Sequence, residues 1–152
     1  MSKIISIEKL LDEWDQDCII NKQDLSGDTI NTARLHAKYL RHLTYAKMIR
    51  SSRQKVYDEL RTKKWEYYNG RMSKAQIDEL GWPYDPFHGG AKPLKGDLQR
   101  IVDSDSELAD IKSKLEKDTV AVEVLEEIIG TLRWRSNSIK NIIENEKFQA
   151  GC

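Results

Sequence analysis

The chain has 152 residues, a third of them charged, with eight glycines, three prolines and a formal net charge of zero. That length and profile fit one helical, water-soluble domain and argue against a β-sandwich or a disordered tail. No apolar run approaches the ~20 residues that span a bilayer, and the opening MSKIISIEKLLDEW turns acidic too early for a signal peptide.

SIEKLLDEWDQ reads as a short amphipathic helix, capped by Ser6, with Ile7, Leu10, Leu11 and Trp14 on one face. NKQDLSGD is a connector, after which Asp28 is the expected cap of a long helix. No proline or glycine interrupts the chain from there to Asn69, and Gly70 is a natural stop. Ile30, Ala33, Ala37, Leu40 and Thr44 give that helix an apolar stripe. Ser73 and Gln76 form a capping box for a short helix, SKAQIDEL. GWPYDPFHGGAKP, residues 81–93, holds all three prolines and reads as a loop, in which Trp82, Tyr84 and Phe87 are expected mainly as anchors.

The last third carries the clearest periodicity. Asp103, Ser104 and Asp105 are cap candidates. Leu108, Ile111, Leu115, Asp118, Val122, Leu125, Ile129, Leu132, Ser136, Ile139 and Ile143 then follow in steps of three and four. This is a heptad seam with two polar members, widened by Val120, Val124 and Ile128. Gly130 within it points to close packing or a bend. Such a seam predicts self-association; the alternative is an intramolecular antiparallel hairpin of the two long helices. The expected fold is therefore all-α, a coiled-coil-like protomer of long helices with an aromatic-proline loop. Its expected parts are an N-terminal helical region, 1–80, with a basic helix at 28–69, a linker at 81–103, and an oligomerising helix at 104–152.

The zero net charge is a cancellation. Arg34–Lys74 holds twelve Lys and Arg against three acids, a net of +9, balanced by acidic flanks. Such asymmetry suits a polyanion-facing element on an acidic frame, or a basic face paired with acidic neighbours. Within it, KKWEYYNGR, residues 63–71, interleaves rings with cations, as a single-strand binder requires. Spacing puts Lys64 beside Tyr68 and Lys63 beside Tyr67. The competing reading makes Trp65 and Tyr68 core anchors with the lysines snorkelling outward; the two readings combine if the Trp65–Tyr68 face packs and the Lys64 edge stays exposed.

No catalytic arrangement emerges. Gly89-Gly90 lacks the spacing of a phosphate loop, and no Gly-x-Ser-x-Gly elbow exists. His36 and His42 fall on different helix faces, and His88 stands alone in the loop. Cys18, Cys152 and three scattered histidines give no metal-ligand spacing. The two distant cysteines suit a reducing, cytoplasmic compartment without a disulfide framework. The expectation is a non-enzymatic protein without cofactor or metal.

Lys64, Trp65, Glu66, Tyr67, Tyr68, Asn69, Gly70 and Arg71 resemble a motif of the UvsY family, the recombination mediators of tailed bacteriophages. Lys38, Tyr39, Leu40 and Lys47 fall in register with that family, as do Glu8, Leu10 and Leu11, and, near the C-terminus, Ile139, Lys140, Ile142, Phe148, Ala150 and Gly151. The sequence departs at Thr62, where the family has the first of two bases, at Trp65, where it has a smaller aliphatic residue, and at Lys64 for arginine. The loop at 81–93 has no clear counterpart.

The resemblance implies a mediator that binds single-stranded DNA and loads the phage RecA-like recombinase onto strands coated by the phage single-strand-binding protein. It also implies a ring-like homo-oligomer, a hexamer or heptamer, in the cytoplasm of the infected host, assembled through the C-terminal part including Phe148. The expected phosphate contacts are Lys38, Arg41, Lys47, Arg50, Arg61, Lys63, Lys64 and Arg71, with Tyr67 and Tyr68 as stacking residues. The alternative is a helical scaffold or adaptor whose DNA binding is incidental. A duplex regulator is disfavoured, since no compact helix-turn-helix is visible.

Overall fold

Helix formation starts where a side chain can accept an otherwise unpartnered backbone N–H. In the computed structural model, which describes residues 5–151, Ser6 does this for α1 (Ile7–Asp17), its hydroxyl accepting the Lys9 N–H at 3.2 Å. Helix α2 (Leu25–Tyr68) begins earlier than the sequence predicts. Asp24, not Asp28, is its cap, accepting the Gly27 N–H at 3.0 Å. Helix α3 (Lys74–Leu80) has the expected Ser73–Gln76 capping box. Helix α4 (Lys95–Asp103) lies inside the segment expected to be linker. It lacks a side-chain cap, and forms because Leu98 and Val102, one turn apart, both bury. Helix α5 (Ser106–Gln149) starts at Asp105, whose Oδ1 accepts the Glu107 and Leu108 N–H groups. No strand occurs among the described residues, which include Cys18, a free thiol, but not Cys152.

Packing divides the chain inside the two long helices. One unit joins the chain up to Ile49 with the chain from Asp118 onward. Its core is Leu10 of α1, Leu35, Tyr39 and Leu43 of α2, and Val122, Leu125, Ile128, Ile129 and Leu132 of α5. Burying side chains of this size contributes about 1.5–3 kcal/mol each. The Trp14 ring meets Tyr39 edge-on at 5.4 Å. The Tyr39 hydroxyl and Lys38 Nζ both donate to Asp17, at 2.8 and 2.6 Å.

Two expectations are corrected in this unit. The heptad seam is not open for partners: Val122, Leu125, Ile129 and Leu132 pack on the chain's own α1 and α2, and Ile139 is also buried. The helices thus pack as the antiparallel hairpin that was the alternative, with Lys47 reaching Glu126 and Asp28 reaching Arg135. The face of α2 that packs is also different from the expected one. Asp28, Thr32, Leu35, Tyr39 and Leu43 turn inward, whereas Ile30 is 76% exposed and Leu40 47%. Two polar residues hide the true stripe. They are tolerated because Asp28 pairs with Arg135 and the Thr32 hydroxyl donates to the Asp28 carbonyl. Gly130 serves no close approach, since a Cβ there would meet nothing within 4 Å.

The second unit, Arg50–Lys117, is smaller. Leu98 and Val102 of α4 and Leu108 of α5 form its core, against Tyr57, Leu60 and Tyr68 of α2. It contains the aromatic-proline loop and most of KKWEYYNGR's contacts.

Candidate nucleic-acid interface

The end of α2 sorts its charges by depth. Lys64 is only 5% exposed. Its Nζ lies 3.0 Å from Asp105, 3.6 Å from Glu107 and 4.1 Å from the centre of the Trp82 ring. A buried ammonium is tolerated only when met by such partners. Asp105 also accepts the Tyr68 hydroxyl at 2.7 Å. Burial would raise the Asp105 carboxyl, but the hydrogen bonds from Tyr68, Lys64 and the Leu108 N–H, with the Lys64 charge, hold it below its ordinary value. Burial, reinforced by Asp105, pushes the Tyr68 phenol well above its ordinary value. Tyr67 is 4% exposed and donates its hydroxyl to the Pro83 carbonyl. Its ring lies 5.1 Å from Tyr68 and 5.0 Å from Trp82.

The expected arrangement is therefore reversed. The reversal concerns Lys64 and Trp65: Lys64 packs with Tyr67, Trp65, at 38% exposure, stands on the open edge, and Tyr68 packs as expected. Lys64 does lie near Tyr68, as the spacing predicts, since both contact Asp105 Oδ2, and its Nζ is also 5.9 Å from the Tyr67 ring. Asp105 and Trp82 are remote in sequence, so no local spacing reveals that they close over Lys64.

Several other expected phosphate ligands also meet carboxylates. Lys38 pairs with Asp17 and Glu13, Lys47 with Glu126, and Arg61 with Asp103 at 3.1 Å. These pairs are partly exposed and each contributes little to stability. Arg41, Lys63 and Arg71 are exposed and Arg50 is half-buried. None of these four forms an ion pair among the described residues. Lys55 and Lys74, absent from the expected set, are exposed as well.

A protein-family model described as UvsY, recombination, repair and ssDNA binding protein, matches residues 13–152. The chain belongs to the UvsY family. Two crystal structures of the bacteriophage T4 recombination mediator protein UvsY share its fold. One has a TM-score of 0.82 at 17% identity, with 96% of this chain and 98% of that chain covered. The other has a TM-score of 0.80 at 15% identity, with 95% and 99% covered. A search of curated proteins gives no match.

Residues 64–71 form the end of α2 and the turn that follows it. Lys64, Tyr67 and Tyr68 fasten α2 to the loop and to the start of α5. Gly70 takes φ +71°, a left-handed conformation that favours glycine and ends α2. The Arg71 N–H returns to the Glu66 carbonyl at 3.0 Å, closing the turn and carrying the Arg71 side chain onto the surface. Lys64, Tyr67, Tyr68 and Gly70 thus build the unit, while Trp65, Glu66 and Arg71 stay exposed. No group of carboxylates, histidines and cysteines among the described residues has the arrangement of a metal site, and no described helix is long and apolar enough to cross a membrane.

Proposed function

We propose that this protein is a phage recombination mediator that binds single-stranded DNA and promotes loading of a RecA-like recombinase onto strands coated by single-strand-binding protein. The reading rests on membership of a family described by recombination, repair and ssDNA binding. It is supported by one observation above all: Arg41, Lys55, Lys63 and Arg71 remain on the surface without ion pairs among the described residues. In this reading they hold phosphates. Lys38, Lys47 and Arg61 join them only by giving up carboxylate partners. Lys64, Tyr67 and Tyr68 act indirectly, by holding the end of α2 in place.

Binding to a labelled single-stranded oligonucleotide across a salt series tests this. Each phosphate neutralised contributes a slope of about −0.7 in log affinity against log salt. Lys63→Glu with Arg71→Glu is expected to weaken binding and flatten that slope, without changing the unfolding midpoint. A double variant that binds as the wild type does would remove these residues from the interface. Absence of wild-type binding at low salt would favour the scaffold reading.

The same proposal includes a ring-like homo-oligomer, which repeats a weak site and gains affinity by multivalency. Because the heptad seam is filled within the protomer, we assign assembly to uncovered apolar residues. Ile30, Ala33, Ala37 and Leu40 form an exposed stripe on α2, and Trp134 and Phe148 on α5 are 69% and 82% exposed. Two dissimilar faces support the head-to-tail contacts that close rings. Ile30→Asp with Leu40→Asp is expected to lower the mass measured by light scattering and leave helicity intact. Leu132→Asp, in the core, is expected to destroy the fold itself. An unchanged mass for the α2 variant would exclude that stripe.

A further inference from the structure

The segment Gly81–Pro93 holds three aromatic side chains, and the structure uses two of them as anchors. Trp82 lies against Tyr67 beneath the Lys64 ammonium. Phe87 lies 6.1 Å from the Tyr68 ring. Between them Tyr84 points outward, 65% exposed. An unused ring of this size on a surface calls for an explanation, since nothing in the core of the unit depends on it.

Its backbone is held on both sides. On one side the Pro83 carbonyl accepts the Tyr67 hydroxyl. On the other, Asp85 accepts the Phe87 N–H at 2.9 Å and the Gly89 N–H at 2.6 Å through its two carboxylate oxygens. Pro83 and Pro86 flank the site with fixed φ, and His88 and Gly89 complete the turn at positive φ, +49° and +83°. The ring is thus presented by a loop whose ordering cost is already met. A cation stands with it: Lys74 Nζ lies 5.7 Å from the Tyr84 ring centre. More positive charge sits on the same unit. Arg71 is exposed, and Lys92 Nζ lies so near Gly70 that a Cβ there would be 3.4 Å away. The one nearby acid in the loop, Asp85, has its charge engaged by backbone N–H groups, which hold its carboxyl below the ordinary value.

We infer that Tyr84 is a stacking platform for an unpaired nucleobase, and that Lys74 takes the phosphate beside it. Single-strand binders combine these two elements, a ring face and an adjacent cation. The inference rests on the single-stranded DNA reading above and assigns the stacking role to the loop rather than to Tyr67 and Tyr68, whose rings are committed to packing.

The test uses the full chain and a fluorescein-labelled oligothymidylate, with Tyr84→Ala, Tyr84→Phe and Lys74→Gln. Removing one stacked base is worth about 1–3 kcal/mol, so Tyr84→Ala is expected to weaken binding roughly 5- to 150-fold. Its salt slope should stay as in the wild type, because no charge is lost. Tyr84→Phe keeps the ring and should bind within about twofold of the wild type, a margin set by the loss of one exposed hydroxyl. Lys74→Gln should reduce the salt slope by about 0.7. On an abasic strand of equal length, Tyr84→Ala and wild type should bind alike. Tyr84→Ala affinity equal to wild type on the thymidylate overturns the stacking role while leaving the DNA-binding reading intact. An equal loss in Tyr84→Phe overturns it too, pointing to the hydroxyl. A wild-type protein that binds no oligonucleotide overturns both.

Discussion

Replacing Lys64 by alanine is expected to cost about 3–5 kcal/mol of folding stability, because it strands the buried Asp105 carboxylate. The same change at Lys63, one position earlier, should stay within about 0.5 kcal/mol of wild type, since that side chain is exposed and unpaired. Urea unfolding of the two variants makes the comparison. Lys64→Met keeps the aliphatic stem against Trp82 and should recover part of the loss, but not the charge that balances Asp105. An acid titration adds a second readout. The folded-state value of Asp105 lies below its unfolded one, so its contribution is complete above the unfolded carboxylate pKa of about 3.9 and is lost as pH falls through the folded value. Stability should therefore drop below about pH 4, and Asp105→Asn should flatten that drop. Asp17, lowered in the same direction by Lys38 and Tyr39 against the effect of burial, leaves a residual slope. If Lys64→Ala unfolds at the wild-type urea midpoint yet loses DNA affinity, the residue is a surface ligand after all and this account of the helix end fails.

The contrast between Lys63 and Lys64 shows how far the sequence could be read. Helical class, the caps at Ser6, Ser73 and Asp105, and the stop at Gly70 are local features, set by side chains within three or four residues of the backbone groups they satisfy. They were legible. So was a basic, aromatic α2. What could not be read is which face of each long helix turns inward. On α2 the inward face includes Asp28 and Thr32, polar residues whose partners lie far away in sequence or on the backbone, so an apolar count selects the opposite face, Ile30 and Leu40. On α5 the seam residues Val122, Leu125, Ile129 and Leu132 turn inward, but the next inward position is Arg135, not Ser136. Helix α4 escaped notice because it has no side-chain cap and follows three prolines.

A heptad pattern states that a face must be covered, not by what. Here α1 and the first half of α2 cover it from Val122 to Leu132, and Ile30, Ala33, Ala37 and Leu40 stay exposed. The stripe read from the sequence exists, but on the face of α2 turned away from the core. Likewise, one ring of KKWEYYNGR, that of Tyr67, does meet a cation, Lys64, but in the interior. There they organise a loop that puts a different ring, Tyr84, on the surface.

Arg135→Ala is expected to be as damaging as Lys64→Ala, at about 3–5 kcal/mol, and to act on the other unit. The side chains of Arg135 and Asp28 are 4% and 5% exposed and 2.9 Å apart. The same guanidinium donates to the Asp17 carbonyl at 2.9 Å and the Ile19 carbonyl at 3.0 Å. Those carbonyls lie at and just beyond the end of α1, where backbone acceptors lack helical partners. One planar fork thus ties α1, the connector, α2 and α5 together, a geometry lysine cannot reproduce. Arg135→Lys should therefore recover little. Hydrogen exchange gives the local signature: amides of α1 should lose protection before those of the α2–α5 core. Leu132 and Ile139 on either side are interchangeable apolar contacts, whereas the ion pair is satisfied in only one register of α5 against α2. Replacing both partners with apolar residues, Asp28→Leu with Arg135→Met, should recover most of the stability lost in Arg135→Ala, since no charge is then buried alone. Should Arg135→Ala unfold at the same urea concentration as Arg133→Ala, an exposed control on the same helix, the fork contributes nothing and α1 is held by Leu10, Trp14 and the Asp17 and Glu13 contacts with α2.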